Sequence, residues 1–377
     1  FRVSKNSNFM GDFLNSGNGF VIVDDNATLT LGGTIPRNLQ INKEATAELT
    51  SSASIPLGTN IILAEKDATF NAEYYARPVI DLGSLNGVAD TTFKWGNQEL
   101  SFYSPSASTF DGVLEGGARS SIMINSNLTL GGQNLNTPSL FINNTILKMK
   151  AGSTLPSISS LTINGNNAVF DMSEQDQTVT TLQTSFPSPN SRVELGNKTL
   201  TIKMPDPNQP SAFSGRVNGN GGKVVKKGPA FFTFRGANTF SGGLFVEEGG
   251  VRISSPSGMG TGPITIYDQA TLSIGTPLTL SGNNSINLQS GIATVQADFP
   301  TIIKTKIVGN GGFNKTGTAP LTLTQMNDYA GETFVNQGTL VVNGSIGNVT
   351  AGSGTVLTGV GSVGTVVNNG TVTPSDP

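Results

Sequence analysis

The sequence predicts an all-β solenoid, a fold in which short strands stack in successive coils. Apolar residues alternate with Thr in short runs that close on Gly, Asn or Ser. No long window places apolar residues at helical spacing, so no helix is predicted. The stretch Gly219–Gly222 also recurs as Gly309–Gly312, and the segments that follow run in step. A repeat built from short strands indicates coils that bury their apolar sides against one another.

The alternating runs indicate half-buried strands, with the apolar side chains inward and Thr or Ser outward. Such strands are too short for a sandwich or barrel, and their Gly and Asn corners show no hairpin pairing. Asn suits these corners because it tolerates left-handed backbone geometry and can hydrogen-bond to Asn in the next coil. At roughly 20–25 residues per coil, the chain would form about 16 coils. The clearest inward pairs are Ala27/Leu29/Leu31, Leu128/Leu130, Leu161/Ile163, Leu200/Ile202, Ile264/Ile266, Leu272/Ile274, Leu278/Leu280, Leu321/Leu323 and Leu340/Val342.

Differences in composition and strand pattern divide the chain into four segments. Residues 1–65 are predicted to form N-terminal coils. Residues 66–120 hold eight aromatic residues, including the single Trp, and are expected to form an irregular insertion that leaves the coil. Residues 121–212 are predicted coils with Pro-rich loops at 185–210, because Pro cannot donate to a strand ladder. Residues 213–377 carry the repeat and are the most regular coils.

The composition excludes several kinds of chemistry. The 377 residues include no Cys and no His, which removes disulfides, thiolate nucleophiles, the Ser-His-Asp triad and His-ligated metal. With 22 basic and 25 acidic residues, no broad field would attract nucleic acid. The G-x-G-x-x-G run at Gly359–Gly364 precedes a strand and a corner rather than a helix, so it predicts no dinucleotide. We therefore expect no metal, no cofactor and no catalytic residue, although β-helical enzymes that act on polysaccharides with carboxylates remain an alternative.

The two copies of the repeat share residues of defined type. Lys226 and Gly228 in the first copy match Lys315 and Gly317 in the second. The remaining matches are Phe232 with Leu321, Phe234 with Leu323, Asn238 with Asn327, Phe240 with Tyr329, Gly242 with Gly331, Val246 with Val335, Gly249 with Gly338 and Val251 with Leu340.

This pattern resembles the passenger-associated repeat of bacterial autotransporters. The pattern runs Gly-Gly, Lys-x-Gly, strand, Gly-Ala-Asn-x-Phe-x-Gly, strand, Gly-x-Val, and its fullest copy spans Gly219–Ile253. The second copy departs from it, with Met326 in place of Ala237 and no glycine opposite Gly236. The resemblance extends over residues 213–377.

The resemblance implies a right-handed parallel β-helix that is exported through the outer membrane by a translocator β-barrel following it in the full-length protein. It also implies a location on the bacterial surface or outside the cell. Because the chain begins at Phe1 without a signal peptide, we expect it to be a piece of a longer protein.

An adhesin is the function that this class and composition favour. It would act by self-association or by binding a host cell-surface protein or glycan, since a long wall rich in Asn and Thr offers many weak contacts. The alternatives are a β-helical stalk that presents a binding insertion at 66–120 and, less favoured, a polysaccharide-acting enzyme.

Two groups of residues are candidates for the contact surface. Large aromatic side chains give extensive contact area, as binding sites for sugars and proteins require. Basic side chains near the repeat could meet an acidic partner. The candidates are Tyr74, Tyr75, Trp95 and Tyr103 in the aromatic group and Lys223, Lys227 and Arg235 in the basic group.

Overall fold

The computed structural model describes residues 1–13, 19–103, 106–135, 139–155, 160–185, 188–281 and 285–374. All regular secondary structure in these ranges is β-strand. No helix in them is long and apolar enough to cross a membrane. The chain divides into two compact units, Phe1–Val193 and Glu194–Pro377.

The first unit is built from short strands, most of them two to five residues long. They are β1 (Arg2–Val3), β2 (Ser7–Phe9), β3 (Val21–Val23), β4 (Thr28–Leu31), β5 (Asn38–Ile41), β6 (Thr46–Leu49), β7 (Thr59–Leu63), β8 (Thr69–Ala72), β9 (Val79–Gly87), β10 (Thr92–Trp95), β11 (Glu99–Phe102), β12 (Ser108–Phe110), β13 (Val113–Glu115), β14 (Ser121–Ile124), β15 (Leu128–Leu130), β16 (Asn134–Leu135), β17 (Ser139–Asn143), β18 (Ile146–Met149), β19 (Ser160–Asn164), β20 (Val169–Asp171), β21 (Gln177–Val179) and β22 (Thr181–Gln183). Strand β23 (Arg192–Glu194) lies at the boundary between the units.

Parallel ladders run through the first unit from coil to coil. One ladder joins β1, β3, β5, β7, β9, β11, β14, β17, β19 and β22, and a second joins β2, β4, β6, β8, β10, β13 and β16. A third begins at the end of β9 and continues through β12, β15, β18 and β20. Every strand pair with a known register is parallel, so each coil returns to the same direction before the next begins.

The second unit contains the remaining strands. They are β24 (Thr199–Lys203), β25 (Ser211–Phe213), β26 (Arg216–Asn218), β27 (Lys223–Lys227), β28 (Phe231–Phe234), β29 (Gly243–Val246), β30 (Gly250–Ile253), β31 (Ile264–Ile266), β32 (Thr271–Ile274), β33 (Leu278–Leu280), β34 (Ile286–Leu288), β35 (Ile292–Ala297), β36 (Thr301–Ile303), β37 (Ile307–Gly309), β38 (Gly312–Thr316), β39 (Leu321–Leu323), β40 (Asp328–Tyr329), β41 (Thr333–Val335), β42 (Thr339–Val342), β43 (Ser345–Ile346), β44 (Val349–Ala351), β45 (Val356–Gly359), β46 (Ser362–Val363), β47 (Val366–Asn368) and β48 (Thr371–Pro374).

Coils of the second unit contribute their strands to three main sheets. The sheets run β24-β27-β29-β31-β34-β37-β40, β25-β28-β30-β32-β35-β38-β41-β44-β47 and β33-β36-β39-β42-β45-β48, with β43 paired to β46. The coil length varies: Thr199 pairs with Lys223, 24 residues on, whereas Thr333 pairs with Val349, 16 residues on. The prediction of a parallel β-helix with about 16 turns is confirmed.

The core of each unit is the interior of its coils. The inward side chains predicted from the alternation, such as Leu29, Leu200 and Leu321, are buried, and the intervening Thr28 is half-buried on the outside. Each fully buried Leu or Ile contributes about 1.5–3 kcal/mol through removal of apolar surface from water. Because neighbours stack in register, this contribution repeats from coil to coil.

The aromatic segment 66–120 differs from the irregular insertion that we expected. Its strands β8 and β10 pair in register, with Phe70 opposite Phe93, and the two rings stack at 5.0 Å with planes 17° apart. Trp95 and Phe102 are also buried inside the coils. The buried rings fill the coil interior, so most of the aromatic residues here belong to the core.

The corners between strands agree better with the sequence-based predictions than the aromatic segment does. Asn26 and Asn144 adopt left-handed conformations, with φ of 60° and 53°. The side chain of Asn143 donates to Asn125 at 3.0 Å, so amides do connect successive coils as expected. Within the predicted Pro-rich loops at 185–210, residues 204–210 contain no strand, but β23 and β24 lie in the same range. Pro187 lies outside the described residues.

Candidate contact surfaces

A buried lysine stabilises one corner of the first repeat copy. Lys226 is fully buried, and its Nζ donates to the carbonyl oxygens of Lys227 at 2.9 Å, Gly228 at 2.7 Å and Glu248 at 3.2 Å. Glu248 lies in the next coil, and its carboxylate accepts from the Gly228 N–H at 2.7 Å. Burial lowers the pKa of Lys226 to about 8, against the attraction of Glu248, which raises it. The ammonium therefore satisfies three carbonyls and joins two coils.

The second repeat copy builds the same corner. Nζ of Lys315 donates to the carbonyl oxygens of Thr316 at 3.0 Å, Gly317 at 2.6 Å and Gln337 at 3.0 Å, and the Gln337 amide oxygen accepts from Gly317 N–H at 3.1 Å. Gly317 has a φ of +75°, which explains the glycine two residues after the lysine. Both lysines are therefore internal structural groups, whereas the sequence identified them only as matching positions of the repeat.

The asparagine of the repeat also connects coils. Oδ1 of buried Asn238 accepts from Val217 N–H at 2.8 Å in the coil before, and its Nδ2 donates to Gly258 O at 2.5 Å in the coil after. Asn327 accepts from Ile307 N–H at 2.9 Å and likewise donates to the following coil. The Lys and Asn positions of the repeat therefore serve the stacking of coils rather than an external contact.

The four aromatic candidates divide into two groups. Trp95 is 1% exposed and Tyr75 is 3% exposed, so neither offers a surface to a ligand. The Trp95 indole N–H donates to Gln98 O at 3.1 Å, as a buried indole requires. Tyr74 and Tyr103 are 67% and 54% exposed and remain available for contact.

The basic candidates do not form one patch. Lys223 and Lys227 lie at opposite ends of β27, about 13 Å apart along an extended strand. Lys227 forms an ion pair of 2.9 Å with Glu247. Arg235 follows β28, which belongs to a different sheet. An acidic partner would therefore meet separated, partly neutralised charges.

Two adjacent outward rows on one sheet of the second unit carry no charge, a feature that sequence reasoning missed, and exposed Lys304 lies at the next outward position beyond Ile302. The sheet β33-β36-β39-β42-β45-β48 presents two rows of outward side chains, and its outward Ile302 is exposed. The strand registers place the residues of the first row opposite one another, and also Thr339, Val356 and Thr371 of the second row. The three prolines of the second row directly precede their strands. The sequence did contain a sign of these rows: Thr, Val or Ile alternates with inward residues in these strands, and Pro precedes three of the strands. This uncharged face consists of Thr279, Ile302, Thr322, Val341, Thr358 and Thr373 in one row and Pro277, Pro300, Pro320, Thr339, Val356 and Thr371 in the other.

The repeat corners coincide with a known family. The sequence profile of the Passenger-associated-transport-repeat matches residues 224–253 and 313–342, which contain both buried lysines and both coil-joining asparagines. The two matched segments correspond to the two repeat copies identified in the sequence. No solved structure is significantly similar to the chain.

Two curated relatives share parts of the chain. An extracellular serine protease of Serratia marcescens is 40% identical over 73 residues, which is 19% of this chain and 7% of that protein. The adhesin BmaC autotransporter of Brucella suis biovar 1 (strain 1330) is 28% identical over 129 residues, 33% of this chain and 4% of that protein. The chain thus spans a small fraction of the length of either relative.

Stacked parallel coils with repeat-specific corners define a β-helical passenger domain. The chain is an autotransporter passenger with two passenger-associated transport repeats. It is located at the bacterial cell surface or outside the cell, after export through the outer membrane.

Proposed function

We propose that this passenger acts as an adhesin and that copies on neighbouring cells associate through the uncharged face. The observation that carries the proposal is the face itself: twelve outward positions on six stacked strands hold only Thr, Pro, Val and Ile. The two rows form a contiguous uncharged surface, whereas secreted domains normally intersperse charges of both signs. The similarity to a protein named as an adhesin supports the same class of function.

Complementarity favours a second copy as the partner. Strand rows repeat at roughly 4.8 Å along the coil axis, so two identical faces carry the same repeat and can interdigitate β-branched side chains over their length. The two rows themselves bring no charge that would be desolvated without a partner, and Lys304 at their edge can keep its ammonium in water. The same absence of charge gives no advantage to an acidic or basic partner.

The area of the face determines how strongly two copies would associate. Six strands and two rows cover roughly 24 Å by 13 Å, on the order of 300 Å². Each partner in a typical stable interface buries roughly 800 Å². A single pair of passengers would therefore associate weakly, and adhesion would come from many copies acting together between two surfaces.

Clumping of beads coated with the purified chain tests the proposal. We expect the natural chain to clump beads and Val341→Lys, which places a charge in the middle of the face, to abolish clumping. Thr30→Lys, at an outward position of β4 beside Glu48 in the first unit, is the matched control and should clump normally. Because the contact is uncharged, clumping should persist from low to high salt. Failure of the natural chain to clump, or normal clumping by Val341→Lys, would refute self-association.

The translocator β-barrel of the full-length protein is the other partner that we propose, as the route of export for this class.

A catalytic passenger is less favoured. The relative named as a protease matches over only 7% of its length, and the present chain has no His to serve as the base of a serine nucleophile.

A further inference from the structure

A groove on the outer wall of the first unit collects polar and aromatic side chains. Val21 pairs with Leu39, so Phe20 and Asn38, one residue earlier, share an outward position in successive coils. Asn38 pairs with Asn60, which pairs with Ser84 in the next coil. This row and the ring of Tyr103 line an open groove of about 470 Å³. Its volume lies within the range of small-molecule sites.

A bulge in β9 opens the groove. Thr59 pairs with Leu82 but Asn60 pairs with Ser84, so Gly83 is an extra residue in the strand. A Cβ at position 83 would lie 2.7 Å from Asn60 Oδ1, and the side chain would occupy the groove. Bulges of this kind often re-aim side chains beside binding sites.

The bulge places Tyr103 at the edge of the opening. Its N–H donates to Leu82 O at 2.9 Å, which sets Tyr103 beside Gly83. The absent side chain at Gly83 leaves room next to the ring. Phe20, 41% exposed, lies at the other end of the row, so the groove has an aromatic group at each end.

The floor is an amide and hydroxyl ladder held in fixed orientation. Asn60 Nδ2 donates to Asn38 Oδ1 at 2.8 Å, and Ser84 Oγ donates to Asn60 Oδ1 at 2.8 Å. These bonds use both polar ends of Asn60 and leave the Nδ2 hydrogens of Asn38 and the lone pairs of Ser84 Oγ for a ligand. Ile62 adds an apolar patch to the floor.

We infer that this groove binds a neutral oligosaccharide. Aromatic rings accept the apolar C–H faces of sugars, while fixed amides and hydroxyls pair with sugar hydroxyl groups. The groove is lined by uncharged side chains, which gives no counter-ion for sialylated or sulfated glycans. A lipid is a poor fit because the ladder would lose its water without gaining hydrogen bonds. The site lies in the first unit and is independent of the uncharged face in the second.

Saturation-transfer NMR on the whole chain tests the inference, with chitotetraose, cellotetraose and lacto-N-tetraose as neutral probes and a sulfated oligosaccharide as the charged one. We expect at least one neutral probe to bind and Tyr103→Ala to weaken that binding about tenfold or more, equivalent to about 1.4 kcal/mol. Tyr74→Ala removes a tyrosine outside the groove that is even more exposed than Tyr103, and this variant should bind as the natural chain does. Since both tyrosines are exposed, neither change should alter the melting temperature.

Three outcomes would overturn the inference. They are binding of none of the neutral probes, binding of the sulfated probe alone, and equal affinity of the natural chain and Tyr103→Ala. Asn38→Asp provides a second variant, because it introduces a charge at the exposed end of the ladder and should also weaken binding of a neutral probe. Val341→Lys should bind sugars normally, so a failure of self-association leaves this test unaffected.

Discussion

Lys226 and Lys315 occupy equivalent corners of two repeat copies, and each ammonium donates to three backbone carbonyl oxygens. In both corners the third carbonyl belongs to the next coil, 22 residues further along the chain. Carbonyls that converge at a corner cannot all be satisfied by the strand ladders, and buried carbonyls without partners are costly. The lysine of the repeat motif therefore serves as an internal cross-link between coils.

Replacing Lys226 with Met should destabilise the second unit by about 1–3 kcal/mol, because it leaves buried carbonyl oxygens unpaired. Urea unfolding of the whole chain measures the effect. Lys227→Met is the matched control: this neighbour points outward, and its partly exposed pair with Glu247 should be worth less than about 1 kcal/mol. Equal losses from the two substitutions would show that the internal cross-link has no special role.

Because of the same two lysines, we expect the unfolding free energy to depend on pH in the alkaline range. Burial lowers the pKa of Lys226 and of Lys315 to about 8, whereas lysine in an unfolded chain titrates near about 10.4. Between these values the unfolded state binds more protons than the folded state, so the lysines make the natural chain more stable as pH rises.

The comparison that isolates this effect is the natural chain against the double variant Lys226→Met/Lys315→Met. We expect their difference in unfolding free energy to shift in favour of the natural chain from about pH 8 to about pH 10. Burial raises the pKa of Tyr329 to about 12, but Tyr329 is present in both proteins, so its contribution cancels in the difference. A difference that stays constant with pH would contradict the lowered pKa values.

Replacing Asn238 with Ala should cost about 2 kcal/mol or more, because Val217 N–H and Gly258 O in two different coils would both lose their partner. Asn336→Ala is a suitable control, since Asn336 is an exposed corner residue of the second repeat. Thermal unfolding of the two variants gives the comparison. A smaller loss from Asn238→Ala than from Asn336→Ala would refute the coil-joining role.

Replacing Trp95 with Ala should destabilise the first unit by about 3–5 kcal/mol, as truncation of a large core side chain does. The ring is buried and lies 6.1 Å from that of Phe93. Tyr74→Ala removes an exposed ring and should change stability little. The measurement is denaturant unfolding, and adhesion of the Tyr74→Ala variant to beads or sugars serves as a check on its folding. A Trp95→Ala variant as stable as the natural chain would show that the indole is not part of the core.

The aromatic residues of 66–120 show where sequence reasoning was insufficient. Alternation identifies Phe93 and Trp95 as residues on the same side of a strand, but composition alone suggested a segment that leaves the coil. Whether a ring points into a coil or onto its surface depends on the register with the coils on either side. Trp95 falls on an inward position of β10, while Tyr103 falls just beyond the end of β11.

Local pattern by itself determined the all-β coils, their inward Leu and Ile residues and the two repeat copies, because alternation, corner residues and internal similarity are properties of neighbouring positions. Only the tertiary structure decided the role of Lys226, the uncharged face and the groove beside Tyr103. These features join residues about 20 positions apart, and the variable length of each coil, from 15 to 24 residues, sets which of them meet. The stacking register, which no single stretch of sequence specifies, therefore determines the surfaces available for contact.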